Sequence, residues 1–185
     1  MLEEILEELS LSNIVATENL VEGFKKLRTG RANPAQLQDI KIDYYGTPTP
    51  LIQLANVGVP EPRMMIVQSY DASILGDIEK AILKANIGLT PNSDGKILRI
   101  NVPPLTEERR REIVKQINKR TEETKITVRN NRRDANEQLK LYQKDGDISE
   151  DEEKKGLDEV QKMTDKFSAE VDAIAKRKES EIMND

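Results

Sequence analysis

The sequence contains no cysteine, no histidine and no tryptophan. Without cysteine or histidine there can be no disulfide, thiol nucleophile, zinc finger or iron–sulfur centre, and no catalytic triad that relies on imidazole. Aromatic residues make up 3% of the chain, two Phe and four Tyr. No stretch approaches the roughly 18 consecutive apolar residues of a membrane span. Neither a GxxxxGK[ST] nor a GxGxxG phosphate loop is present. The first ten residues, MLEEILEELS, are acidic. That speaks against a secretory signal, which starts basic, and against a transit peptide, which is poor in acids, so the expected location is the cytoplasm. Carboxylates remain as possible catalysts or metal ligands. Pairs such as Glu3/Glu7 and Glu107/Glu108 read as solvated helix faces. The run from Asp145 to Glu153 lacks the Asp-x-Asp-x-Asp-Gly frame of a calcium loop and reads as a turn followed by a helix cap. No catalytic residue, metal ligand or cofactor site is expected.

What is present is charge, unevenly placed. The 185 residues hold 29 Lys+Arg and 34 Asp+Glu, a formal net charge of −5. Residues 1–30 have net charge −3, residues 31–104 are neutral, residues 105–145 carry +4, and residues 146–185 carry −6. One basic segment therefore lies between acidic neighbours, and the mean hides it.

Proline marks the same division. All eight prolines lie between Pro34 and Pro104. The proline-free flanks show helical periodicity. Leu2, Ile5, Leu6, Leu9, Asn13, Ala16, Leu20, Phe24 and Leu27 form one stripe, with Gly30 as a stop. Thr106 is the expected N-cap of a second helix, whose stripe runs Ile113, Ile117, Thr121, Thr124, Val128, Asn131, Ala135, Leu139, Tyr142 and ends at Asp145-Gly146-Asp147. Ser149 and Glu152 have the spacing of a capping box, and Leu157, Val160, Thr164, Phe167, Val171, Ile174 and Ile182 follow as a third stripe. No single helix can bury such a face alone, so the three predict a bundle. A helix over 107–144 would be nearly 60 Å long. A compact globule of this size is only about 40 Å across, so an elongated molecule is expected.

Between the flanks, 40–45 alternates as a strand does, 46–50 reads as a turn, 51–57 and 63–70 as strands, 74 onward as a helix carrying Ile74, Ile78, Ile82 and Leu83 and ending at Asn86 to Gly88, 92–95 as a turn and 97–102 as a strand. The expected fold class is α+β. A discontinuous three-helix bundle over 1–30 and 105–185 would hold an inserted β/α/β domain over 31–104. Two adjacent linkers, containing Arg28, Gly30 and Arg31 on one side and Pro103, Pro104 and Leu105 on the other, would form a hinge.

The basic helix carries the candidate site. With Ile113 at zero, Arg132, Lys125, Arg111, Arg129, Lys140, Lys115 and Arg133 fall between about 100° and 200° on the helical wheel, off the core stripe. Two readings stay open. The row can track phosphates over several turns, or it can pair with Glu on neighbouring helices. Arg28 and Arg31 add cations at one end of the rod and favour RNA. A helical protein-interaction or chaperone-like module is the alternative from another functional class.

Five segments then carry a specific resemblance: Arg28-Thr-Gly-Arg-Ala-Asn-Pro34, Tyr44-Tyr-Gly-Thr-Pro-Thr-Pro-Leu51, Gly88-Leu-Thr-Pro-Asn-Ser93, Pro103-Pro-Leu-Thr-Glu-Glu-Arg-Arg110 and Val128-Arg-Asn-Asn-Arg-Arg-Asp-Ala-Asn136. Together, in this order, they resemble the signature stretches of the bacterial ribosome recycling factors. The resemblance implies an L-shaped fold with a mobile angle between its arms. It implies binding to the 70S ribosome, with the bundle on large-subunit rRNA near the A and P sites. It implies splitting of post-termination ribosomes into subunits together with elongation factor G, so that messenger RNA and deacylated tRNA leave. The GTP belongs to the partner, and the factor itself is not an enzyme. The family's RNA-contacting arginines map to Arg110, Arg129 and Arg132, with Arg111, Lys125 and Arg133 beside them. No DNA, membrane or second copy is expected as a partner, the factor acting as a monomer. Arg110 falls at about 60° on the wheel, inside the core arc, where wheel and resemblance part.

Overall fold

The computed structural model describes residues 1–184. The chain divides into two compact units, Met1–Leu27 with Arg110 onward, and Arg28–Arg109. The fold is mixed α+β, as the residue patterns predict.

The first unit contains α1 (Leu2–Lys25), α5 (Glu150–Asn184) and nearly all of α4 (Glu107–Asp145). Each helix buries the residues that recur at spacings of three and four. On α1 these are Ile5, Leu9, Asn13, Ala16, Leu20 and Phe24, on α4 Ile113, Ile117, Val128, Ala135 and Leu139, and on α5 Val160, Phe167, Val171, Ala175 and Ile182. Ile117, Val128, Leu139, Val160, Val171 and Ile182 have no accessible surface. Each such side chain contributes about 1.5–3 kcal/mol relative to exposure. Gly156 lets α5 approach closely, because a Cβ there would lie 2.9 Å from methyl groups of both Leu139 and Leu2.

The caps follow the sequence. The hydroxyl of Thr106 accepts the Arg109 N–H at 3.2 Å. Ser149 and Glu152 complete the reciprocal box, with the Ser149 N–H donating to Glu152 Oε2 at 2.8 Å and the Glu152 N–H donating to Ser149 Oγ at 3.3 Å. Gly146, at φ +81°, turns the chain between α4 and α5. The first helix ends earlier than expected, at Lys25. Gly30, at φ +76°, stands five residues beyond it, in the linker rather than at a helix C-terminus.

The core of this bundle is partly polar. Thr17, Thr121 and Thr164 are buried, and each hydroxyl donates to the carbonyl four residues back, at 2.9, 2.7 and 2.8 Å. Asn13 is fully buried, and its Oδ1 accepts from Asn131 Nδ2 at 2.9 Å. This is why a polar residue stands at stripe position 131.

The second unit holds a hairpin of β1 (Lys41–Tyr44) and β2 (Thr47–Pro50), a helical turn α2 (Leu51–Leu54), and an antiparallel sheet of β3 (Ala55–Glu61), β4 (Met64–Ser69), β5 (Thr90–Ser93) and β6 (Leu98–Asn101) in the order β3-β4-β6-β5. Helix α3 (Leu75–Lys84) packs against β1 of the hairpin and β5 of the sheet. Its Ile78 and Ile82 join Leu37, Leu51, Met65, Val67, Leu98 and Ile100 in a core with no accessible surface.

Three elements differ from expectation. Thr47–Pro50 is a strand, not a turn. The turn is Tyr45-Gly46, both at positive φ (51° and 80°), as a two-residue type I′ hairpin requires. Thr90–Ser93 is also a strand. Leu51–Leu54 is helical, and β3 starts only at Ala55. Proline explains the two missed strands. It cannot donate to a ladder, so it reads as a breaker, yet it is tolerated on edges. Pro48 and Pro50 sit in the two-stranded hairpin, Pro91 on edge strand β5 and Pro60 on edge strand β3, whereas central strands β4 and β6 have none.

Candidate functional site

Three basic residues of α4, Lys125, Arg129 and Arg132, contact the surface of the first unit itself. Lys125 Nζ lies 2.6 Å from Asp172 Oδ1 on α5. Arg132 donates through Nη1 to Gln161 Oε1, also on α5, at 3.1 Å. Arg129 pairs with Glu122 two turns back on α4 itself. Arg133 is exposed and makes no ion pair among the described residues, and Arg111 is exposed.

Of the two sequence readings, pairing within the bundle is the one visible here. The row does pair within the bundle, but at Lys125 and Arg129 each pair is solvent-facing. The side chains of Arg129 and Glu122 keep 48% and 59% of their surface, those of Lys125 and Asp172 29% and 58%. Exposed ion pairs contribute about 0–1 kcal/mol, so a phosphate oxygen can share or replace such a partner at small cost. The contacts orient the cations without neutralising the face.

Arg110 behaves differently. It is half-buried, and its Nη1 donates to the carbonyl of Ile182, in the last turn of α5. That carbonyl lies among those left without an intrahelical partner, and a guanidinium there also complements the helix dipole. Its position inside the core arc of the wheel is explained by this contact. A guanidinium carries five N–H donors, so one bond leaves the others available.

In the second unit, five of the six linker residues meet. Arg28, Gly30, Pro103, Pro104 and Leu105 line a hollow of about 340 Å³, together with Gln36, Ile87, Leu89 and Val102. A Cβ on Gly30 would lie 3.0 Å from Leu105 Cγ, so the two linker segments touch. Arg31 stands outside the lining, and the next residue, Ala32, donates its N–H to the Pro62 carbonyl at 2.7 Å. Among the described residues no three or more acidic side chains are grouped to hold a metal ion, and no helix is long and apolar enough to cross a membrane.

The comparisons with known proteins decide the family. The model of the ribosome recycling factor family matches residues 20–183. The chain belongs to the ribosome recycling factor family. It is 55% identical over 183 residues to the ribosome-recycling factor of Desulfatibacillum aliphaticivorans, covering 99% of each chain. To that of Geobacillus sp. (strain WCH70) it is 49% identical over 183 residues, again covering 99% of each. A solution structure of a ribosome recycling factor matches with TM-score 0.77 and 40% identity, covering 100% of this chain and 98% of that one. A second structure, describing the T. thermophilus ribosome recycling factor and E. coli elongation factor G bound to the E. coli post-termination complex, matches with TM-score 0.65 and 44% identity, covering 98% of each chain. Membership of this family displaces the alternative of an interaction module with no ribosome role.

Sequence reasoning did not find the Asn13–Asn131 bond. Both residues stood in the stripes, and two Asn at facing stripe positions were the available signal. The hollow in the small unit was not foreseen either, since it joins segments far apart in sequence.

Proposed function

We propose that this chain binds the post-termination 70S ribosome through Lys125, Arg129, Arg132 and Arg133 of α4, with Arg110 and Arg111 in its first turns, on large-subunit rRNA near the A and P sites. With elongation factor G and GTP it then splits the ribosome into subunits, freeing messenger RNA and deacylated tRNA. The observation that carries this reading is the one-sided row of cations on a 39-residue helix, in which Lys125, Arg129 and Arg132 each meet an exposed acceptor. Such a row supplies phosphate contacts at successive turns without any base-specific chemistry. The solved relative on the post-termination complex supports the choice of ribosome and GTPase as partners.

The chain acts by position and leverage. It hydrolyses nothing and needs no cofactor, the GTP being consumed by the partner, and it works in the cytoplasm as a monomer. The packed helices form a stiff strut, and the linkers containing Arg28, Gly30, Arg31, Pro103, Pro104 and Leu105 act as the hinge about which the small unit moves when the GTPase pushes. A light-scattering assay of post-termination ribosomes tests this. The chain with elongation factor G and GTP should give subunits, and leaving out any one of the three should not. Splitting without GTP, or none with all three present, would overturn the reading.

A further inference from the structure

The solvent face of α1 holds a feature that the α4 row and the hinge leave unused. From Leu2 to Phe24 the chain carries six Glu and no cation. With Leu11 at zero on the wheel, Glu4, Glu18, Glu22, Val15, Glu7, Glu8 and Ile14 all fall within about 60° on either side, while the buried stripe centres near 175°. In the midst of these acids, Leu11, Val15 and Ile14 keep 57%, 55% and 40% of their surface exposed. Single exposed apolar residues are ordinary, but three at i, i+3 and i+4 form one contiguous patch.

Beside the patch, α1 and α4 leave a polar groove of about 270 Å³, whose lining includes Glu8, Ser12, Asn131, Asp134 and Gln138. Two carboxylates from different helices thus face a slot wide enough for an extended Lys or Arg side chain. Glu4 and Glu22 have local partners, the N-terminal ammonium at 3.0 Å and Lys25 at 2.6 Å. Glu7, Glu8 and Glu18 make no ion pair among the described residues.

We infer that the outer face of α1 is a docking surface for a basic polypeptide. An apolar side chain of that partner rests on Leu11, Ile14 and Val15. Its Lys or Arg side chains meet Glu7, Glu8 and Glu18, one of them reaching the groove between Glu8 and Asp134. Charge decides the class of occupant: five carboxylates around the patch repel phosphates, so RNA is disfavoured here as strongly as it is favoured on α4. The inference rests on the ribosome reading above, because a ribosome offers basic protein next to RNA. The bundle would then be gripped on two faces by two chemistries, which fixes its orientation where a phosphate-bound row alone leaves it free to slide.

The test places a photo-cross-linking benzophenone residue at Val15, and separately at Leu11, in the full chain. Each variant is pelleted with 70S ribosomes before and after irradiation. The expected result is an adduct with a basic ribosomal protein, sensitive to protease and not to ribonuclease. Adding Glu7→Lys and Glu18→Lys should reduce its yield about tenfold. Pelleting without a protein adduct, an adduct with rRNA, or an adduct with a second copy of this chain would overturn the inference while leaving ribosome binding intact. Failure to pellet at all, with the unsubstituted chain failing likewise, would remove the ribosome reading itself.

Discussion

Replacing Arg132 by alanine separates a phosphate-binding row from a merely structural one. Among the described residues the side chain makes one hydrogen bond, to Gln161, which also donates to Asp165 Oδ1 at 2.8 Å and faces solvent. Its loss should change folding stability by no more than about 0.5 kcal/mol, as for other surface substitutions. The effect on RNA binding is of another kind. Each phosphate neutralised contributes about 0.7–0.9 to the slope of log affinity against log salt. Between 50 and 200 mM salt, a fourfold change, one contact accounts for a roughly threefold loss of affinity. The variant should therefore bind ribosomes more weakly at 50 mM, with the gap to the parent narrowing about threefold by 200 mM. Arg129→Ala should act alike, and the pair should lower the slope by roughly 1.4 to 1.8. Arg132→Lys should keep the slope, since charge rather than the planar fork sets it. Fluorescence titration of labelled chain with ribosomes at three salt concentrations reads all of this. An unchanged slope in Arg132→Ala would refute the reasoning and reduce Arg132 to a tether between helices.

Three further outcomes follow from the geometry. Asn13→Leu should stabilise the bundle by about 1 kcal/mol in urea unfolding: the buried Nδ2 of Asn13 finds no hydrogen-bond partner among the described residues, an orphan costing about 1–3 kcal/mol, while Asn131 borders a polar groove where water can replace the lost bond. Destabilisation would show that the Asn pair holds the helices in register. The Glu152 carboxyl is held below its ordinary value of 4.5, first by the Ser149 N–H and then by the Ser149 hydroxyl. A lowered carboxylate pKa stabilises the fold above the unfolded value, and that contribution is lost as pH falls through the lowered one. In an NMR titration, Ser149→Ala should bring the Glu152 value part of the way back up, since the N–H remains. Gly30→Val meets a φ of +76° and Leu105 Cγ at 3.0 Å from its Cβ, so it should slow subunit splitting while ribosome pelleting persists, unless the linkers are not the hinge.

The helices were readable because the physics that forms them is local. A stripe at spacings of three and four, a Thr or Ser cap and a glycine turn all lie within a few residues of each other, and α4 and α5 run between the caps that Thr106 and Ser149 promised. The strands were less readable because pairing is not local. TPTP and TPNS look like breakers until a partner strand leaves the proline nitrogen on an edge, and no window of sequence contains that partner. The cation row was legible on the wheel once the chain was split by charge, against a net charge of −5 that argues the other way. What the wheel does not contain is tertiary partnership. The bond from Arg110 to the Ile182 carbonyl spans 72 residues, and the Asn13–Asn131 bond spans 118.

The most direct test reverses the row. Arg129→Glu with Arg132→Glu, in the otherwise intact chain, is assayed by light scattering for splitting of post-termination 70S ribosomes with elongation factor G and GTP. The account predicts that splitting fails, that GTP is still consumed by the partner, and that circular dichroism shows the helices unchanged. Splitting at the parent rate by this correctly folded variant would contradict the claim that α4 is the anchor.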